Sequence, residues 1–193
     1  MNQSPAFHLV IDLEATCDED HRIPRAQTEI IEIGAVLVDT ETLTPVDEFA
    51  TFVRPIVHRK LTPFCAALTH ITQADVDGAP LFPEALSRLG RFIGGRDALF
   101  CSWGDYDRDQ FGRDASRHGV RLPFSNRHLN LKKRFSEQLG EEQRYGMAGA
   151  LRRVGLPLVG THHRGIDDAR NIARLLPWVL GRAGGQPVRA GVT

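Results

Sequence analysis

The sequence predicts an α/β fold built on a mixed five-stranded sheet flanked by helices. Two patterns carry this expectation. Three strand-like runs joined by short connections occupy the first third of the chain, and strands joined so closely pair antiparallel, as a meander. Behind them, segments with apolar residues at helical spacing alternate with two further short apolar runs, the signature of a sheet continued through crossovers. At 193 residues the chain has the size of a single domain with a core of its own.

The elements follow in order. Residues 7–13 are the first expected strand, and residues 29–38, rich in Ile and Val and closed by Asp39-Thr40-Glu41-Thr42, are the second. Residues 47–53 are the third, stopped by Pro55. Thr62-Pro63 opens a helix through Leu68, with proline in its first turn. Between positions 81 and 93, Leu81, Phe82, Ala85, Leu86, Leu89, Phe92 and Ile93 recur at helical spacing, and Gly94-Gly95 ends the run. Residues 98–101 read as a short buried strand, with a helix behind them to about His118-Gly119. A fifth strand surrounds residues 129–131, residues 145–154 are helical, and residues 166–180 form the last helix, interrupted near Pro177. This sets the domain at residues 7–180, after an extension of residues 1–6 and before a flexible tail of residues 181–193.

Composition narrows the class without naming a partner. A hydrophobic fraction of 41% and a charged fraction of 25% are those of a soluble globular protein. Lys plus Arg and Asp plus Glu both number 24, so bulk charge selects no ligand, and only the local pattern at a groove matters. Three widely spaced cysteines, with no Cys-x-x-Cys, disfavour a disulfide framework or a zinc site and suit a reducing compartment. No apolar run reaches the length of a membrane span, and no basic leader precedes one. The expectation is a cytoplasmic protein that does not engage a membrane.

The chemistry begins at the end of the first strand, in Ile11-Asp12-Leu13-Glu14-Ala15-Thr16. Strand side chains alternate, so Val10, Asp12 and Glu14 share one face and Leu9, Ile11 and Leu13 the other. Two carboxylates side by side at a buried strand end repel each other and lose hydration. A hard divalent cation such as Mg²⁺ or Mn²⁺ relieves both effects. The plainer alternative is a strand that runs out into a polar loop.

Two later segments add to this pair. Trp103-Gly104-Asp105-Tyr106-Asp107 falls directly after the fourth strand, where open α/β sheets collect ligands. Asp107 and Phe111 lie one helical turn apart, which aims Asp107 toward the strand ends; Asp105 is its rival, or else a helix cap. Gly160-Thr161-His162-His163-Arg164-Gly165-Ile166-Asp167-Asp168 carries a histidine loop into a helix with two aspartates in its first turn. Acidic residues there also serve ordinary helix initiation. Ile166, Ala169, Ile172, Ala173 and Leu176 mark the inward face, which puts Asp168 beside the core and Asp167 toward solvent.

Taken together, Asp-x-Glu on a first strand, Asp at a mid-chain strand-to-helix junction, and His-x₄-Asp opening a late helix resemble the DEDDh 3′–5′ exonucleases. Phe64-Cys65-Ala66-Ala67-Leu68-Thr69-His70-Ile71-Thr72, the Trp103–Asp107 segment, Asn130-Leu131-Lys132-Lys133 and the run from Gly165 to Ala173 are similar to the enhanced-RNAi, or histone-mRNA 3′-end, branch and its bacterial relatives. The resemblance implies an RNase H-like fold and hydrolysis of single-stranded nucleic acid from its 3′ end, with RNA favoured and DNA possible. It implies Asp12, Glu14, Asp107 and Asp168 as ligands of two Mg²⁺ ions, with Mn²⁺ able to substitute, and His163 as general base. In that branch the aspartate after the aromatic is the ligand, which favours Asp107 over Asp105. Ala15, Thr16, Leu68, His70 and Ile71 are then expected at the terminal nucleotide. Lys132 and Arg164, with Lys133, Arg134, Arg152 and Arg153, are expected along the incoming backbone. Animal members carry an additional N-terminal RNA-binding module, whereas six residues precede the first strand here.

Overall fold

The computed structural model of the protein describes residues 4–20 and 22–183. The expected tail therefore lies outside the described residues beyond Ala183, as do the first three residues of the N-terminal extension. Five strands, β1 (Phe7–Ala15), β2 (Ile30–Asp39), β3 (Pro45–Phe52), β4 (Ala98–Ser102) and β5 (His128–Asn130), form one sheet in the order β3-β2-β1-β4-β5. The first three pair antiparallel, while β4 lies parallel to β1 and β5 parallel to β4. This is the expected mixed sheet, with β1 at its centre.

Eight helices cover the sheet among the described residues: α1 (Pro63–Thr69), α2 (Gln73–Asp77), α3 (Phe82–Ile93), α4 (Tyr106–His118), α5 (Leu131–Leu139), α6 (Met147–Arg153), α7 (Gly165–Arg174) and α8 (Leu176–Val179). The alternation along β1 and β2 sorts them into two layers. Leu9, Ile11, Leu13, Ile33, Ala35 and Leu37 face α3 and α4 through Phe82, Leu86, Leu89 and Phe111. Val10, Val36 and Val38 face α5 to α8 through Phe135, Leu151, Ile172 and Leu176. A smaller cluster of Ile31, Leu61, Cys65, Ile71 and Val76 seats α1 and α2.

Two elements depart from the expectation. Residues 73–77 form α2, whose start is a reciprocal capping box between Thr72 and Asp75. Leu131 opens α5 rather than closing the fifth strand, because the Asn130 side chain caps the helix by accepting the Lys133 N–H at 2.9 Å. The last helix breaks at Leu175, where Pro177 in the first turn of α8 denies the preceding turn an N–H donor. No helix among the described residues is long and apolar enough to cross a membrane.

Candidate active site

The site grows from a mismatch in strand length. β1 pairs with β4 only as far as Val10↔Cys101 but continues against β2 to Ala15↔Ile30. Beyond Val10 the β4-side edge of β1 is open, and the Leu13 N–H there donates to Asp107 Oδ1 at 3.1 Å. Asp107, in the first turn of α4, thus arrives from the layer behind the sheet, with Phe111 one turn on in the core. Asp105 goes elsewhere. It is exposed, pairs with Arg108 at 3.0 Å and takes no part in the acidic cluster.

On the other face, Asp12 and Glu14 project with Val10 toward α7, as strand alternation requires. The pairing shifts by a residue between Glu14 and Ala15, a bulge of the kind that re-aims side chains at sheet ends. α7 starts almost in backbone contact with the sheet. A Cβ on Gly34 of β2 would lie 2.1 Å from the Gly165 carbonyl carbon, so only glycine permits this approach. One turn later, Asp168 meets the strand carboxylates, and one ligand oxygen from each of Asp12, Glu14 and Asp168 fits within 4.8 Å of the others. Asp107 stands beside this trio, and its charge bears on both Asp12 and Glu14.

Crowding at this density is costly for ionised groups. Burial first, then the charges of Asp107, Glu14 and Asp168, holds Asp12 well above the usual carboxylate range. Burial followed by Asp168 and Glu32 pushes Glu14 up to about 8. Burial lifts Asp107 to about 7 against the opposing bond from Leu13, and it raises Asp168 as well. Among the described residues no Lys or Arg pairs with Asp12, Glu14, Asp107 or Asp168. An all-oxygen donor set of Asp12, Glu14 and Asp168, its ligand atoms within 4.8 Å of one another and with no Lys or Arg beside it among the described residues, suits a hard divalent cation.

His163 lies on the loop before α7 with a left-handed backbone (φ 63°). Its N–H donates to Asp168 Oδ2 at 3.0 Å, which ties the loop to the cluster. Burial, then the neighbouring His162, lowers the His163 pKa, and His70 acts in the same sense from the end of α1. The imidazole is therefore neutral at pH 7. His162 was not expected here. Its ring stacks on His163 at 4.0 Å, and its Nδ1 lies 2.9 Å from Asp168 Oδ2.

The sequence matches the exonuclease family RNase_T over residues 9–176. The chain belongs to that family. It is 33% identical over 180 residues to ERI1 exoribonuclease 3 of Mus musculus, covering 88% of this chain and 52% of that protein. It is 32% identical over 179 residues to 3′-5′ exoribonuclease 1 of Homo sapiens, covering 88% and 51%. The chain thus spans about half the length of the curated relatives it matches. Its structure superimposes with a TM-score of 0.86 and 28% identity on the nuclease domain of 3′hExo, a DEDDh family member solved with bound rAMP, over 95% of this chain and 96% of that one. The RNase H-like fold and the relation to the ERI1 and 3′hExo branch of the DEDDh exonucleases are thereby shown.

Within this exonuclease frame, one buried group carries a role that the sequence reading missed. Glu32 sits opposite Glu14 in the β1–β2 register, with its side chain 2% exposed. It accepts the Arg164 guanidinium at 3.2 Å and 3.1 Å and the Gly165 N–H at 2.9 Å, and so clamps the histidine loop and the start of α7 to the sheet. A charged residue inside an otherwise unbroken apolar strand, Ile31-Glu32-Ile33, was the available signal. Asp167 has a comparable duty. Instead of pointing freely to solvent, it accepts the Thr161 N–H at 2.9 Å and pairs with Arg170 at 3.0 Å.

The expected substrate contacts divide. Arg164 bonds Glu32 through Nε and Nη2 and lies over the Phe52 ring at 5.3 Å, with its side chain 27% exposed. Ile71 is fully buried in the α1–α2 cluster and presents nothing to a base. Thr16 is buried, with its hydroxyl accepting the Glu29 N–H at 2.9 Å, and Ala15 is buried beside it. Leu68 is half-buried and His70 exposed, with His70 near enough to His163 to influence it. Lys132, on α5, is half-buried, while Lys133 and Arg134 both lean toward Glu137 at 3.9 Å. Arg152 is exposed, and Arg153 pairs with Glu141 at 2.7 Å.

Proposed function

We propose that this chain is a metal-dependent 3′–5′ exoribonuclease that removes nucleoside 5′-monophosphates from the 3′ end of single-stranded RNA. The observation that carries the reading is the meeting of Asp12, Glu14 and Asp168 within one coordination sphere, with Asp107 beside them and the His163 loop bonded to Asp168. RNA is preferred to DNA because the relatives at 33% and 32% identity are named exoribonucleases. Residues 7–180 are the proposed nuclease unit, and its three free thiols accord with a reducing compartment such as the cytoplasm.

Asp12, Glu14, Asp107 and Asp168 are assigned as ligands of two Mg²⁺ ions. Bound there, the ions supply Lewis acidity that draws charge from the scissile phosphate and stabilises the leaving 3′ oxygen. The four carboxylates match that charge, so the filled site admits an anionic phosphate that the bare carboxylates repel. Neutral His163 takes the proton of the attacking water at an imidazole nitrogen, a role open to a base whose pKa lies near or below the working pH. Asp168 fixes the His163 loop through the backbone bond, and Glu32 fixes the same loop from β2. Leu68 and His70 are assigned to the base of the terminal nucleotide, an apolar and aromatic surface that tolerates any sequence.

The test is a time course with RNA and DNA single strands labelled at the 3′ or 5′ end, in Mg²⁺ or Mn²⁺, beside Asp12→Ala. The reading expects RNA shortened stepwise from its 3′ end, no reaction by the variant, and arrest by EDTA. Degradation that persists in EDTA contradicts it.

A further inference from the structure

Beside the acidic cluster lies a pair of nucleophiles that the proposed mechanism does not use. Cys17 follows Glu14 by three residues, and Cys65 sits on α1. Cys17 packs on the apolar cluster that contains Cys65, and each thiol bears on the other's titration. Their backbones are pinned from both sides. The Thr62 hydroxyl, at the cap of α1, donates to the Cys17 carbonyl at 2.7 Å, and the Cys65 thiol donates to the Ala15 carbonyl at 3.7 Å. Cys65 is fully buried, whereas Cys17 is half-exposed. Cys101 belongs to the opposite side of the molecule's interior, in the cluster under α5 to α8.

We propose that Cys17 and Cys65 form a redox modification site, oxidised by a peroxide to an intramolecular disulfide that slows the nuclease and restored by a thiol reductant. The consequence rests on the nuclease reading, but the bond itself does not. The Cys65 thiol, its pKa lowered to about 7 by its Cys17 neighbour, supplies the thiolate, and its sulfur attacks one peroxide oxygen; the O–O bond breaks, a sulfenic acid forms and the first water leaves. The Cys17 sulfur then displaces the hydroxyl. The S–S bond forms, the S–O bond breaks, and the Cys17 proton departs with that hydroxyl as the second water. Two thiols lose two electrons and one peroxide gains them. Disulfides of this kind in reducing compartments act as transient sensors.

The coupling to activity is geometric. The bonded S–S distance of about 2.05 Å is shorter than any non-bonded approach of two sulfurs, so forming the bond draws them together. The movement pulls α1 and residues 14–17 together, and these residues include Glu14. A displacement of about 1 Å at a catalytic group can cost about 10²-fold in rate.

The experiment exposes the intact chain to hydrogen peroxide, blocks remaining thiols by alkylation and reads the products by mass spectrometry. Trypsin separates the three cysteines onto peptides 1–22, 61–88 and 97–108. The proposal expects peptides 1–22 and 61–88 to be joined, with Cys101 alkylated as before. RNA degradation should fall at least about tenfold, return with dithiothreitol, and resist peroxide in Cys17→Ser, which keeps the basal rate. It is overturned if both thiols remain open to alkylation after peroxide treatment, if the cross-link joins other cysteines, or if the joined protein degrades RNA at the reduced rate. Should even the reduced chain leave RNA intact, the nuclease reading fails, while the peptide map still decides the bond.

Discussion

At the residue scale, the site is a balance between repulsion and metal affinity. Glu14 titrates near 8 and Asp107 near 7 in the fold, against ordinary values of 4.5 and 3.8. The folded chain therefore holds protons that the unfolded chain releases. Stability from these groups is present at low pH and is lost as pH rises from about 4 to about 8. Mg²⁺ bound as proposed would displace those protons, so the rise in melting temperature on adding Mg²⁺ should be small at pH 5.5 and larger at pH 8.5. Equal shifts at both pH values, measured by thermal denaturation, would contradict this picture. Glu14→Gln should raise the metal-free melting temperature at pH 8 while abolishing turnover. Relief of about 1 kcal/mol corresponds to about 2–4 °C in a chain of this size. His163→Ala should lower turnover about 10²–10⁴-fold yet keep the Mg²⁺-induced stabilisation, because His163 is assigned to proton transfer and not to ligation.

At the scale of elements, the decisive contact is the docking of α7 on β2. Glu32 holds it chemically and Gly34 permits it sterically. Glu32→Ala should cost about 3–5 kcal/mol in denaturant unfolding, since it leaves Arg164 and the Gly165 N–H without their buried acceptor. Gly34→Ala should push α7 off the sheet, with loss of Mg²⁺ binding or of folding; a variant that binds Mg²⁺ like the parent refutes the close approach as a requirement. This contact also marks where sequence reading stopped. Helical spacing placed Asp168 beside the core, and strand alternation put Asp12 and Glu14 on one face, because both periodicities are local. That Arg164 pairs with Glu32 is set by strand register between distant segments, which no local pattern encodes. The same holds for Asp107 against Asp105. The spacing to Phe111 pointed the right way, but the Leu13 N–H that receives Asp107 exists only because β4 ends early. The short helices α2 and α5 escaped for a different reason, since five and nine residues carry too little periodicity to stand out beside their caps.

At the scale of the molecule, the sheet order is what turns scattered acidic residues into one site. Placing β1 at the centre, antiparallel to β2 and parallel to β4, brings the ends of β1 and β4 to one edge. α4 and α7 then deliver Asp107 and Asp168 to that edge from opposite layers. The meander and the alternation of helix and strand were legible from hydrophobic periodicity, and so was the fold class. The balanced charge was equally informative in a negative sense, since affinity for a polyanion must then come from the site and its rim. The most direct test of the whole account is anomalous diffraction from crystals equilibrated with Mn²⁺. Two peaks about 3.5–4 Å apart are expected, touching Asp12, Glu14, Asp107 and Asp168 and absent in Asp12→Ala. Ordered Mn²⁺ elsewhere on the chain, with these four carboxylates left bare, would contradict it.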